Sequence, residues 1–166
     1  MILHYFAKKE NTEKGIANDL YIKILKKSKI FLNNNKFFNK KDYNTSFEIV
    51  TFIIITYINL NIRNHSNYLK INEYLISIFI SDLDESLRTK GIGDMSIGKY
   101  VKKYVKKFYF RLSKFPKKVD EKNVEVFLDY LTLIDFIKND NNLVASKGFL
   151  DLYKEIANNY KVTEKY

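Results

Sequence analysis

The chain has no cysteine, which excludes disulfides, thiolate catalysis and any cysteine-ligated zinc site. Histidine is nearly as scarce. His4 and His65 are the only two, far apart in sequence, so a two-histidine metal site exists on paper only and no metal is expected. One proline and five glycines leave little material for tight turns, which suits long helices better than a sandwich of short strands. Long apolar runs are missing too. The longest, IVTFIIITYINL from Ile49 to Leu60, is 12 residues and includes Asn59, whereas a membrane span needs about 20. It reads as a buried helix. The opening residues, MILHYFAKKENTEK, turn polar too soon for a secretory signal and lack the arginine and serine of a transit peptide.

What is present points to one helical domain with a basic surface. With 166 residues and 46% hydrophobic content, a single compact domain over 1–166 would bury about two-thirds of its unfolded surface. The net charge of +10 implies an anionic partner: nucleic acid, a phospholipid surface or an acidic protein. An abundance of Asn, Ile, Lys, Tyr and Phe raises the lysine count everywhere, so total charge says less than its placement. Nine basic residues cluster between Lys99 and Lys118, with no carboxylate between Asp94 and Asp120.

Periodicity predicts an all-α bundle of about six helices. The first covers residues 12–28, with Ile16, Leu20 and Ile24 on one stripe. Residues 29–44 read as a loop pinned by Phe31, Phe37, Phe38 and Tyr43. Thr45 and Glu48 form a capping box that starts the second helix, despite a β-branched body that by propensity favours a strand. After the polar break NIRNHSN, a third helix runs over 68–90, burying Ile71, Tyr74, Leu75, Ile78, Phe79, Leu83 and Leu87. A fourth spans 95–114, a fifth 120–138 and a sixth 146–160. No internal repeat or dividing linker is visible.

The most informative stretch is DLDESLRTKGIGDMSIGKYVKKYVKKFYFR, from Asp82 to Arg111. Gly91 is placed to end one helix in a left-handed conformation, Gly93 to permit a second bend, and Asp94 to cap the next helix. Ile97, Tyr100, Val101, Tyr104, Val105, Phe108 and Leu112 form its apolar stripe. Lys99, Lys102, Lys103, Lys106, Lys107 and Arg111 take the remaining surface. A phosphate-binding loop needs a preceding strand, but a helix leads into Gly91, and Asp94 puts negative charge where phosphate would sit. Asp82, Asp84 and Glu85 form the one dense acidic cluster, yet no nucleophile or oxyanion site accompanies them. Asp84 and Arg88, four apart, make a local ion pair. Asp82 and Asp84 cannot share a helix face, so one reaches inward to Arg88, Arg111 or the turn. Lysines act as point charges, which favours nonspecific phosphate attraction over base reading.

This stretch resembles the core motif of the ubiquinol–cytochrome c chaperone family, assembly factors for respiratory complex III. Asp84 matches the motif's first aspartate, Leu87 and Arg88 its Leu-Arg, and Gly91, Gly93 and Asp94 its turn. Lys99 opens the basic helix, and Phe108, Tyr109 and Arg111 match its end. Thr89 replaces a glutamate and Phe110 a glycine. Thr45, Ser46 and Phe47 stand where relatives carry Gly-Arg-Phe. The resemblance covers the chain from the first helix to about Asn142.

It implies a non-enzymatic chaperone, without cofactor or small-molecule substrate, that holds newly made cytochrome b. Mitochondrial relatives work at the ribosome near the tunnel exit. This chain is expected in a bacterium, in the cytoplasm beside the inner membrane, with the ribosome or an anionic membrane surface as further partners. The motif match and the lysine face together give the expected contact residues: Asp82, Asp84, Arg88, Gly91, Gly93, Asp94, Lys99, Lys102, Lys103, Lys106, Lys107, Phe108, Tyr109 and Arg111. The competing expectation is a basic protein that binds nucleic acid, ribosomal RNA above all, with no sequence-specific reading of DNA. An enzyme comes third.

Overall fold

A computed structural model describes residues 2–64, 69–134, 137 and 141–163. The fold is all-α. Among the described residues six helices follow one another: α1 Ile2–Asn34, α2 Tyr43–Asn64, α3 Leu69–Thr89, α4 Asp94–Lys114, α5 Leu128–Leu131 and α6 Asn142–Thr163. An isolated antiparallel bridge joins Phe38 and Ile137.

Helix α1 extends well beyond the expected 12–28, and its inward stripe is rotated. Ala17, Tyr21, Ile24, Ser28 and Phe31 are buried, while Ile16 is exposed. The stripe continues through Phe31, so the helix does too, and the expected loop shrinks to residues 35–42. The Asn35 side-chain amide donates to the Phe31 carbonyl (2.8 Å) and satisfies one of the open groups at the helix end.

Helix α2 begins two residues earlier than the capping box implied. Asp42 is the cap: its carboxylate accepts from the Thr45 N–H (2.9 Å) and the Thr45 hydroxyl (3.0 Å). The Thr45 hydroxyl shares its one proton between Asp42 and the Lys40 carbonyl, and Glu48 turns inward. Every residue from Phe47 to Thr56 is buried, as expected of a helix apolar on all sides. Packing on every face overrides the β-branched preference for a strand. The Thr56 hydroxyl is satisfied by the carbonyl one turn back, at Phe52 (2.9 Å).

The expected fifth helix over 120–138 is mostly turns. Asp120 and Asn123 side chains accept from the Lys122 and Glu125 N–H groups, both at 2.9 Å. These Asx turns compete with helix formation. Only the single turn α5 remains, and residues 135, 136 and 138 lie outside the described residues.

The chain gathers into two compact units, each discontinuous in sequence: Met1–Lys23 with Asn61–Phe110, and Ile24–Leu60 with Arg111–Tyr166. The first holds α3 and most of α4. Its core includes Tyr21, Leu75, Phe79, Leu83, Leu87, Ile97 and Phe108. Tyr21 donates its hydroxyl to Asp82 (2.7 Å), Asn61 pairs with Asn72 (2.5 Å), and the Phe79 and Phe108 rings lie 5.3 Å apart. The second unit is built on aromatic contacts around Phe52, whose ring lies within 6 Å of Phe115, Phe127, Tyr130 and Phe149. Gly148 of α6 permits a close approach there, since a Cβ would come within 2.9 Å of the Phe37 ring.

Candidate functional site: a braced turn and a lysine face

Helix α3 ends in a Schellman arrangement. The Ile92 N–H donates to the Leu87 carbonyl (3.3 Å) and the Gly91 N–H to that of Arg88 (2.8 Å). Gly91 has a φ of 87°, alone among the described residues in being positive, so its lack of a side chain is required there. Gly93 needs no such freedom. The expected second glycine bend is an ordinary backbone whose carbonyl accepts from Ser96 (2.9 Å) and Ile97 (3.1 Å) to open α4.

Asp94 lies in the first turn of α4, and its carboxylate serves Arg88 rather than capping the helix. The Arg88 guanidinium donates through Nε to Asp84 (2.5 Å) and through Nη1 to Asp94. One arginine thus ties the last turns of α3 to the start of α4 across the bend. The bonds to Asp84 and then Asp94 hold its guanidinium above the usual arginine range. The separation of Asp82 from Asp84 is as expected: Asp82 takes the Tyr21 hydroxyl, and Asp84 takes Arg88.

Beyond the bend, Lys99, Lys102, Lys103 and Lys106 are exposed. Lys107 and Tyr104 are half-buried, and Tyr109 and Phe110 are about half exposed. Tyr100, expected on the apolar stripe, is exposed; Ile97 and Phe108 are buried. Gly98, Lys99, Tyr100, Lys102, Lys103 and Lys106 line a groove.

Arg111 departs most from expectation. Placed with the surface lysines by the sequence reading, it is buried. Its guanidinium meets Glu48 bidentately, Nε to Oε2 at 2.9 Å and Nη2 to Oε1 at 2.8 Å, and Nη2 also donates to the Leu133 carbonyl. Two signals for this pair were present. Arg111 lies seven residues past Tyr104 on the line of Ile97 and Phe108, the buried side of the helix. Glu48 sits between Phe47 and Ile49, where a carboxylate needs a cationic partner.

Asp82 and Asp84 are thus engaged by hydrogen bonds while Glu85 is exposed, and the described residues hold no group of three or more His, Cys, Asp or Glu suited to a metal ion. His65 and the His4 side chain lie outside the described residues. No helix among the described residues is long and apolar enough to cross a membrane.

The chain's fold is shared with a solved protein. The crystal structure of the Cbp3 homolog from Brucella abortus superposes with a TM-score of 0.73 at 20% identity, covering 95% of this chain and 88% of that one. No curated protein matches the sequence. The family model for the ubiquinol–cytochrome C chaperone matches residues 36–127, leaving α1 outside and taking in α2, α3, the braced turn and α4. Matched by that model over more than half its length, the chain belongs to the ubiquinol–cytochrome c chaperone family.

Proposed function

We propose that this protein is a non-enzymatic assembly chaperone for the cytochrome bc complex, holding newly made cytochrome b before the complex is complete. The observation that carries the reading is the family match over 36–127, which includes the Asp84–Arg88–Asp94 brace and the lysines of α4. In this reading the brace sets the direction in which α4 leaves α3. The client is met by the turn together with Lys99, Lys102, Lys103, Lys106 and Lys107. Work beside a membrane follows from the client, because cytochrome b must be inserted there.

The test is copurification of cytochrome b with tagged protein. Replacing Lys102, Lys103 and Lys106 by glutamate should abolish it while the melting temperature moves by only a few degrees, since these side chains are exposed. Deleting the gene should lower the amount of assembled complex. Unchanged assembly would end the proposal. The rival reading, ribosomal RNA binding, draws on the same lysines and predicts affinity that falls steeply as salt rises. An RNA affinity measured across a salt series separates the two.

A further inference from the structure

The outward arc of α4 carries two chemistries at once. Lys99, Lys102, Lys103 and Lys106 are exposed; among the described residues they make no hydrogen bond or ion pair. No carboxylate follows Asp94 before Asp120. Amid these lysines stand two large apolar side chains, Met95, fully exposed, and Phe110, 47% exposed. At the α-helical pitch, Met95, Lys106, Lys99 and Phe110 share a sector of roughly 60°. Tyr109, half exposed, flanks it.

The charge of this face is complementary to an anionic partner, and Met95 sets a fully exposed apolar tip beside its lysines. Base reading would draw on arginine forks, but Arg88 is engaged by Asp84 and Asp94 and Arg111 by Glu48. What remains is a row of ammonium groups on flexible stems with apolar tips between them. That composition suits a helix lying on a negatively charged bilayer, with apolar side chains entering the headgroup–acyl boundary and lysines at the phosphate level. Lys99, Lys102, Lys103 and Lys106, with Gly98 and Tyr100, line a groove on α4, where the four ammonium groups would meet a headgroup phosphate.

We propose that this face of α4 docks the protein peripherally on anionic phospholipid, with Met95 and Phe110 entering the interface. The proposal deepens the chaperone reading and rests on it for the place of work.

The experiment is flotation of the full-length protein with vesicles of phosphatidylcholine alone and of phosphatidylcholine containing about 30% phosphatidylglycerol. Binding is expected only to the anionic vesicles. The Lys102→Glu, Lys103→Glu and Lys106→Glu combination should weaken it by at least about 100-fold, each lysine near the surface contributing about a factor of five to ten. Because the chain has no tryptophan, Phe110→Trp supplies a single indole on this face. Its emission should shift to the blue on anionic vesicles and become shielded from an aqueous quencher. Equal binding to both vesicle types, no binding, or an indole that stays in water would overturn the proposal. Circular dichroism of each variant confirms that it is folded. Loss of vesicle binding with cytochrome b still captured by the wild-type protein sinks the docking surface alone. The converse sinks the chaperone reading and leaves the surface standing.

Discussion

Arg111 and Glu48 leave water together, their side chains 5% and 1% exposed, joined by two parallel hydrogen bonds. The Tyr130 hydroxyl is buried in the same unit with no hydrogen-bond partner among the described residues. Burial first, and then the charge of Glu48, push its ionisation well above the usual tyrosine range, so it stays neutral. A buried ion pair is costly to break from one side because the survivor keeps its charge without a partner. Arg111→Met alone should therefore cost about 3–5 kcal/mol. Glu48→Leu combined with Arg111→Met should recover most of that loss, and urea unfolding of the two variants measures both. Asp42 offers a second test at this scale. The Thr45 N–H holds its carboxyl below the ordinary value of 3.8. A depressed folded-state pKa contributes stability that is present above the unfolded value and lost as pH falls through the folded one. Asp42→Ala should cost about 0.5–2 kcal/mol near neutrality. The gap between variant and wild type should then narrow below about pH 4, as followed by thermal melts across an acid series.

Among the elements, the bend between α3 and α4 depends on one glycine, not two. Gly91 has the positive φ, and an added Cβ would strain the backbone even though nothing lies within 4 Å of it. Gly91→Ala should destabilise the protein by about 1 kcal/mol. Gly93→Ala, at a position without a positive φ and with open space around it, should cost less, about 0.5 kcal/mol from its place at the start of α4. Denaturant midpoints for the two variants test the distinction. Across this bend, the Arg88 brace does what capping by Asp94 was expected to do. The acidic start of α4 is still favourable to the helix dipole. The broken 120–138 segment marks the reverse case: apolar spacing at Phe127, Leu131 and Ile134 is helical, yet Asx turns at Asp120 and Asn123 end the helix before it forms.

For the whole molecule, the chemistry of partners follows from where charge is spent. Asp82 is taken up by Tyr21 and Asp84 and Asp94 by Arg88, and α4 carries no carboxylate after Asp94, so its cationic face has no acidic neighbour on its own helix. A surface of that kind concentrates anionic partners and loses its grip as salt screens it. That is the common ground of the client, ribosome and bilayer readings. They part on Met95 and Phe110, which contribute to binding only where the partner offers an apolar layer.

By itself the sequence determined that the fold is helical, where α3 and α4 lie, that Gly91 ends α3, and that Lys99, Lys102, Lys103 and Lys106 face outward, though not that Lys107 is half-buried. Each of these is a local matter of spacing, backbone conformation or the lack of an acidic neighbour. Tertiary structure alone decided the partner of Glu48, the rotation of the α1 stripe, and that Arg111 is withdrawn from the surface its neighbours share. Those outcomes depend on residues dozens of positions apart, and desolvation makes a buried charge find its counterpart wherever the fold brings one.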